Sequence, residues 1–123
     1  MAADMELKKA FTEMQLNKIE TSKKLRFIDF QEEQLKKSKA RYELTDSEIS
    51  QLPEDTKVYA TVGRMFVLSK LPELRAELKT KTEKVVEMIG QCDKNKEFLM
   101  NSLKEQEESL RDLVQQKKNN IEK

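Results

Sequence analysis

The sequence contains no histidine, which removes the commonest general base and the commonest zinc ligand at once. Its single cysteine, Cys92, allows neither an internal disulfide nor a thiolate metal cluster. Glycine and proline occur only twice each in 123 residues, so there are few places to turn, whereas a compact domain of this length needs several turns. No stretch approaches the roughly 18 apolar residues of a membrane span. The opening Met1-Ala2-Ala3-Asp4-Met5-Glu6 lacks the apolar core of a signal peptide. Together these features lead us to expect a soluble chain made in a reducing compartment, most simply the cytoplasm, with a second, nuclear role left open. An excess of one charge is missing too, because 24 basic and 23 acidic residues leave a net +1. Residues 1–42 carry 10 basic and 7 acidic side chains, 43–70 carry 3 and 5, and 71–123 carry 11 and 11. No segment has the positive surplus that a nucleic acid or an anionic membrane demands, and neither is expected as a partner. No metal or cofactor site is expected either.

What the chain does have is charge and periodicity. Charged residues make up 38% and hydrophobic residues 37%, a poor mixture for an ordinary globular core and a suitable one for long helices. Stepping by alternate fours and threes from Leu7 visits Leu7, Phe11, Met14, Lys18, Thr21, Leu25, Ile28, Glu32, Leu35, Lys39 and Tyr42, and seven of these eleven are apolar. That is the heptad pattern of a coiled-coil seam. Glu20 with Lys24, Glu32 with Lys36 and Glu33 with Lys37 add pairs in the favourable orientation. Residues 5–42 therefore read as a first coiled-coil helix. From Leu71 the same stepping gives Leu71, Arg75, Leu78, Thr82, Val85, Ile89, Cys92, Lys96, Leu99, Leu103, Gln106, Leu110, Leu113 and Lys117, nine of them apolar. Residues 72–121 read as a second coiled-coil helix, with Ser69 as its cap and Pro72 and Glu73 in its first turn. Gly90, inside it, should weaken it by about 1 kcal/mol relative to alanine.

Both prolines and Gly63 fall between these helices, and the period changes there. Thr45-Asp46-Ser47-Glu48 has the form of a capping box opening a short helix that Pro53 ends. Lys57–Val62 and Met65–Leu68 read as strands joined by Gly63-Arg64, a two-residue connection of type II′. The second strand is apolar at four consecutive positions, so both of its faces expect burial. A lone hairpin is marginal in water, and the chain offers no third strand, so partners from other chains are expected to complete it. The fold class is thus mainly α: an antiparallel two-helix coiled coil with a β-hairpin and a short helix at the connection (43–71), forming one domain over 1–123. Such a coiled coil has no interior beyond its seam and no small-molecule pocket.

Helix, hairpin, helix in a chain of about this length resembles the prefoldin family, and specifically its β type, which has one hairpin where the α type has two. The stretches Glu6-Leu7-Lys8-Lys9-Ala10-Phe11, Leu44-Thr45-Asp46-Ser47-Glu48-Ile49 and Val62-Gly63-Arg64-Met65-Phe66 carry the resemblance, the hairpin stretch being the most specific. The resemblance implies a hexamer of two α-type and four β-type subunits, so this chain's partners would be two α-type and three further β-type subunits. Their hairpins would form a double β-barrel platform from which six coiled coils extend. It also implies that the coiled-coil tips hold unfolded clients such as actin and tubulin and pass them to the cytosolic group II chaperonin without using ATP.

Two sets of residues follow as candidates. For client binding at the tip they are Met5, Leu7, Phe11, Met14, Leu110, Leu113, Val114 and Ile121. Among them Phe11, Leu110 and Leu113 read mainly as seam, while Met5, Val114 and Ile121 depart from the strict register and would expose apolar surface at a frayed end. For subunit assembly they are Val58, Tyr59, Val62, Met65, Phe66, Val67 and Leu68, which carry more apolar area than two helix ends could cover. Arg64 reads as a solvated turn residue and Cys92 as a small buried hydrophobe. Glu107, Glu108 and Asp112 read as a solvated helix face rather than a carboxylate site. No catalytic residues are expected, and an enzyme is the weakest reading. A coiled-coil adaptor joining folded partners is the alternative, but it would need only a short turn between its helices.

Overall fold

A computed structural model describes residues 2–122. Helix α1 runs from Ala2 to Ser50, strand β1 from Val58 to Val62, strand β2 from Met65 to Ser69, and helix α2 from Leu71 to Glu122. Two long helices with a two-stranded antiparallel hairpin between them is the architecture expected from the sequence.

The first helix is longer than the periodicity indicated. Residues 45–50 are helical as expected, but they are the last turns of α1 and not a separate short helix. The Thr45 hydroxyl donates to the Arg41 carbonyl at 2.7 Å, a bond available only inside a continuing helix. With the preceding turn already formed, Thr45 has no free N–H groups to cap, and the capping-box pattern has no helix start to serve. Pro53 still sets the end. It lacks the N–H that would bond the Ile49 carbonyl, so the Leu52 N–H takes that carbonyl at 3.1 Å and tightens the final turn.

The hairpin pairs Val58 with Ser69, Tyr59 with Leu68, Ala60 with Val67, Thr61 with Phe66 and Val62 with Met65. Gly63 has φ +63° and no described non-glycine residue has positive φ. A type II′ turn needs positive φ at its first central residue only, whereas type I′ needs it at both, so the Gly63-Arg64 connection matches type II′. Helix α2 follows almost at once. Its expected cap is not used, because Ser69 lies in β2 and its hydroxyl donates to the Val67 carbonyl at 3.3 Å. Lys70 instead supplies the first helical carbonyl, accepting from the Leu74 N–H at 3.0 Å.

The chain forms two compact units. One is built from the described residues within Met1–Phe30 and Cys92–Lys123, the other from Gln31–Gln91. In the first, Lys117 donates to Glu6 at 2.9 Å and Lys96 donates to Asp29 at 2.8 Å. Moving forward along α1 from Glu6 to Asp29 moves backward along α2 from Lys117 to Lys96, so the helices run antiparallel there. Leu7, Met14, Leu25 and Ile28 on α1 and Leu99, Leu103, Leu110 and Leu113 on α2 are half-buried. In the second unit Arg75 donates to Asp46 at 3.0 Å, and Val85 is the one apolar residue buried outright among those described. Glu32, at a seam position, is buried as well, at 5% exposure, with Lys36 at 3.7 Å.

Candidate functional site

The polar interruptions of the α2 heptad pattern explain the register. Lys117, Lys96 and Arg75 all occupy stepping positions where an apolar residue would normally stand. Each reaches an acid on α1, Glu6, Asp29 and Asp46 respectively; the two lysines are half-buried along the seam, while Arg75 stays exposed. Lys117 lowers the Glu6 carboxyl below its ordinary value of 4.5, first through the hydrogen bond and then through its charge. Asp46 raises the Arg75 guanidinium in the same way, which leaves it charged throughout the accessible range. Exposed pairs of this kind add little stability, but they favour one alignment of two helices over its neighbours.

In the first unit the expected tip residues divide in two. Leu7, Met14, Leu110 and Leu113 are half-buried in the seam. Met5 is 75% exposed, Phe11 52%, Val114 44% and Ile121 78%. Phe11 was expected mainly to complete the seam; its neighbour Ala10 takes the inward position instead, and the bulkier ring is left outside. Leu7, Phe11 and Val114, with Lys8, line an open hollow of about 360 Å³. A neighbouring groove of about 450 Å³ runs between the two helices, floored by Met14, Leu110 and Leu113 and edged by Glu13, Asn17 and Glu105. Both are shallow and open rather than enclosed ligand cavities; the hollow is mainly apolar, whereas the groove mixes apolar and polar side chains about equally.

In the second unit the hairpin exposes its apolar residues. Tyr59, Val62, Met65, Phe66, Val67 and Leu68 are all at least 45% exposed, with Phe66 at 74%. The register places Tyr59, Thr61, Phe66 and Leu68 on one face, and all four are exposed. The opposite face holds Val58, Ala60 and Ser69, which are half-covered, and Val62, Met65 and Val67 toward the turn, which are exposed. Leu52, Val58, Tyr59 and Phe66 line an open apolar hollow of about 620 Å³. As a two-stranded sheet, the hairpin also leaves both outer edges without a strand partner among the described residues. Cys92 is half-buried at its seam position. Among the described residues no group of histidine, cysteine and carboxylate side chains could hold a metal ion, and no helix is long and apolar enough to cross a membrane.

Comparison with known proteins agrees with this arrangement. The family model described as prefoldin subunit matches residues 12–117. Human prefoldin subunit 1 is 40% identical over 111 residues, covering 90% of this chain and 91% of the relative. Prefoldin subunit 1 of Arabidopsis thaliana is 33% identical, covering 93% and 89%. Among solved structures, the prefoldin beta subunit from Thermococcus strain KS-1 superposes with a TM-score of 0.73 over 87% of this chain and 90% of that one; at 21% identity this likeness speaks to the fold. Matched along most of its length in sequence, with one hairpin between two long helices, the chain belongs to the prefoldin subunit family.

Proposed function

We propose that this chain is a β-type subunit of a hexameric, ATP-independent holdase, in which the hairpin binds sister subunits and the paired helix termini of the first unit hold unfolded polypeptides. As a prefoldin subunit it is a chaperone component and not an enzyme, and it works in assembly with other prefoldin subunits. The observation that carries the finer reading is the hairpin. Six large apolar side chains stand open to solvent on a sheet with two free edges among the described residues, and covering them by a neighbouring subunit is favoured by about 25 cal/mol per Å² of apolar surface removed from water. A turn that merely reversed the chain would have no use for them. Met5, Phe11, Val114 and Ile121 supply exposed apolar contacts of varied shape, Met5 being the most adaptable, as suits clients without a fixed structure. In this reading the clients include actin and tubulin, the recipient is the cytosolic group II chaperonin, and the setting is the cytoplasm.

The test is to follow light scattering of a denatured, aggregation-prone protein with the assembled complex present and ATP absent. Suppression that weakens when Phe11→Ser and Ile121→Ser are introduced together supports the reading. Undiminished aggregation with the intact complex would overturn it.

A further inference from the structure

The first unit carries a second apolar stripe that the seam does not use. Met5, Leu16 and Phe27 are spaced by 11 residues, and so are Ile19 and Phe30. Eleven residues make three turns of an α-helix and return to within about 20° of the same direction. All five side chains therefore share a sector roughly 80° wide on α1, on the side away from Met14 and Leu25. They are 75%, 59%, 60%, 54% and 60% exposed in the order Met5, Leu16, Phe27, Ile19, Phe30. Single exposed apolar residues are ordinary; five aligned on the outward face of one helix form a surface.

The charges around the stripe indicate what covers it. Lys8, Lys9, Lys23, Lys24 and Arg26 border or interrupt it, against Glu6, Glu13 and Glu20, and Glu6 is already tied to Lys117, in a chain whose overall charge nearly cancels. Among the described residues none of these five cations is held in an ion pair: Glu32–Lys36 and Glu33–Lys37 form as expected from the sequence, but Glu20–Lys24 does not. Lys23 stands in the middle of the stripe, between the Leu16/Ile19 and Phe27/Phe30 pairs, so an occupant must offer an acid there. The backbone of α1 is already bonded within the helix, so a partner strand has nothing to pair with. Two apolar pairs about 16 Å apart on one face match instead the side chains of another helix packed alongside. A second copy would bring one net-positive face against another. A lipid surface would have to accept Lys23 within a thin apolar line.

We propose that this outward face of α1 docks an acidic amphipathic helix of a partner protein. The inference does not depend on client holding by the helix termini, and its test reads a different quantity.

The experiment uses the purified complex and fluorescence anisotropy. The probe is a helical peptide of about 25 residues carrying leucines at the stripe's spacing and glutamates beside them, with a matched peptide bearing lysine for glutamate. The acidic peptide should bind about tenfold or more tightly than the basic one. Phe27→Ser with Phe30→Ser should weaken it by about tenfold, and Lys23→Glu with Arg26→Glu should reverse the preference. Circular dichroism checks the helix content of each variant. Should the serine pair lose helix, the charge reversal alone decides. Equal affinity for both peptides, or affinity unchanged by charge reversal, would overturn the proposal. So would sedimentation with anionic phosphatidylserine vesicles that needs Phe27 and Phe30, or a concentration-dependent doubling of mass that needs them.

Discussion

Val85 and Phe66 lie in the same compact unit, and both are large and apolar, yet Val85 is 8% exposed and Phe66 is 74% exposed. Val85 faces a second helix that the same chain supplies. Phe66 stands on a two-stranded sheet, and no other described element provides a third strand for it. The comparison separates two uses of hydrophobic residues: in the helix pair they complete the fold, and in the hairpin they remain available for contact with other chains. Mutations at the two places should therefore fail in opposite ways.

The sharpest contrast comes from introducing aspartate at each. Phe66→Asp should leave the helix content of the chain nearly unchanged by circular dichroism while abolishing its incorporation into the complex, because the charge becomes buried only on assembly. Val85→Asp should cost about 3 kcal/mol or more and lower the melting temperature of the chain itself. If both lowered melting equally, the hairpin would be a folding element and the distinction would collapse.

The two glycines sharpen the same comparison at smaller scale. A Cβ at either position would meet nothing within 4 Å, so crowding is removed as a variable. Gly63→Ala must still adopt φ +63°, and should destabilise the hairpin by about 1–2 kcal/mol. Gly90→Ala, inside α2, should stabilise the helix by about 1 kcal/mol. Thermal melts of both variants should shift in opposite directions.

The smallest effect concerns Glu6. Its folded-state carboxyl lies below the ordinary value of 4.5, so its contribution is present above that pH and is lost as pH falls through the depressed value. Carbon-detected titration of Glu6 should show its midpoint returning toward 4.5 in Lys117→Met. A midpoint that does not move would mean the pair is not formed in solution.

Much of this was legible from the residues. Apolar side chains at heptad spacing located both helices, because burying one narrow stripe against another leaves a strong periodic trace. Gly63 located the turn, because positive φ selects glycine. The end of α1 was placed eight residues early, at 42 rather than 50, because a Thr-Asp-Ser-Glu sequence is read equally well as a cap or as helix interior when Thr45 can bond back to Arg41. Phe11 was placed inward because stepping by fours and threes tolerates a one-residue drift, and alanine at position 10 gives no competing apolar signal. The ties from Lys96 and Lys117 went unread, since a lysine at a seam position looks like an interruption until its facing acid is known. The outward stripe was missed for a simpler reason. Its 11-residue spacing puts those side chains on a face that the heptad stepping from Leu7 never visits.

The most direct test is the native mass of the assembly that a tagged copy of this chain draws from a eukaryotic cytosolic extract, compared with the same measurement on Phe66→Asp. A complex of about six small helical chains containing this one once, and lost in the variant, is the predicted result. A stable monomer or a two-chain species for the unaltered protein would contradict it, because the exposed hairpin would then have no assembly to serve.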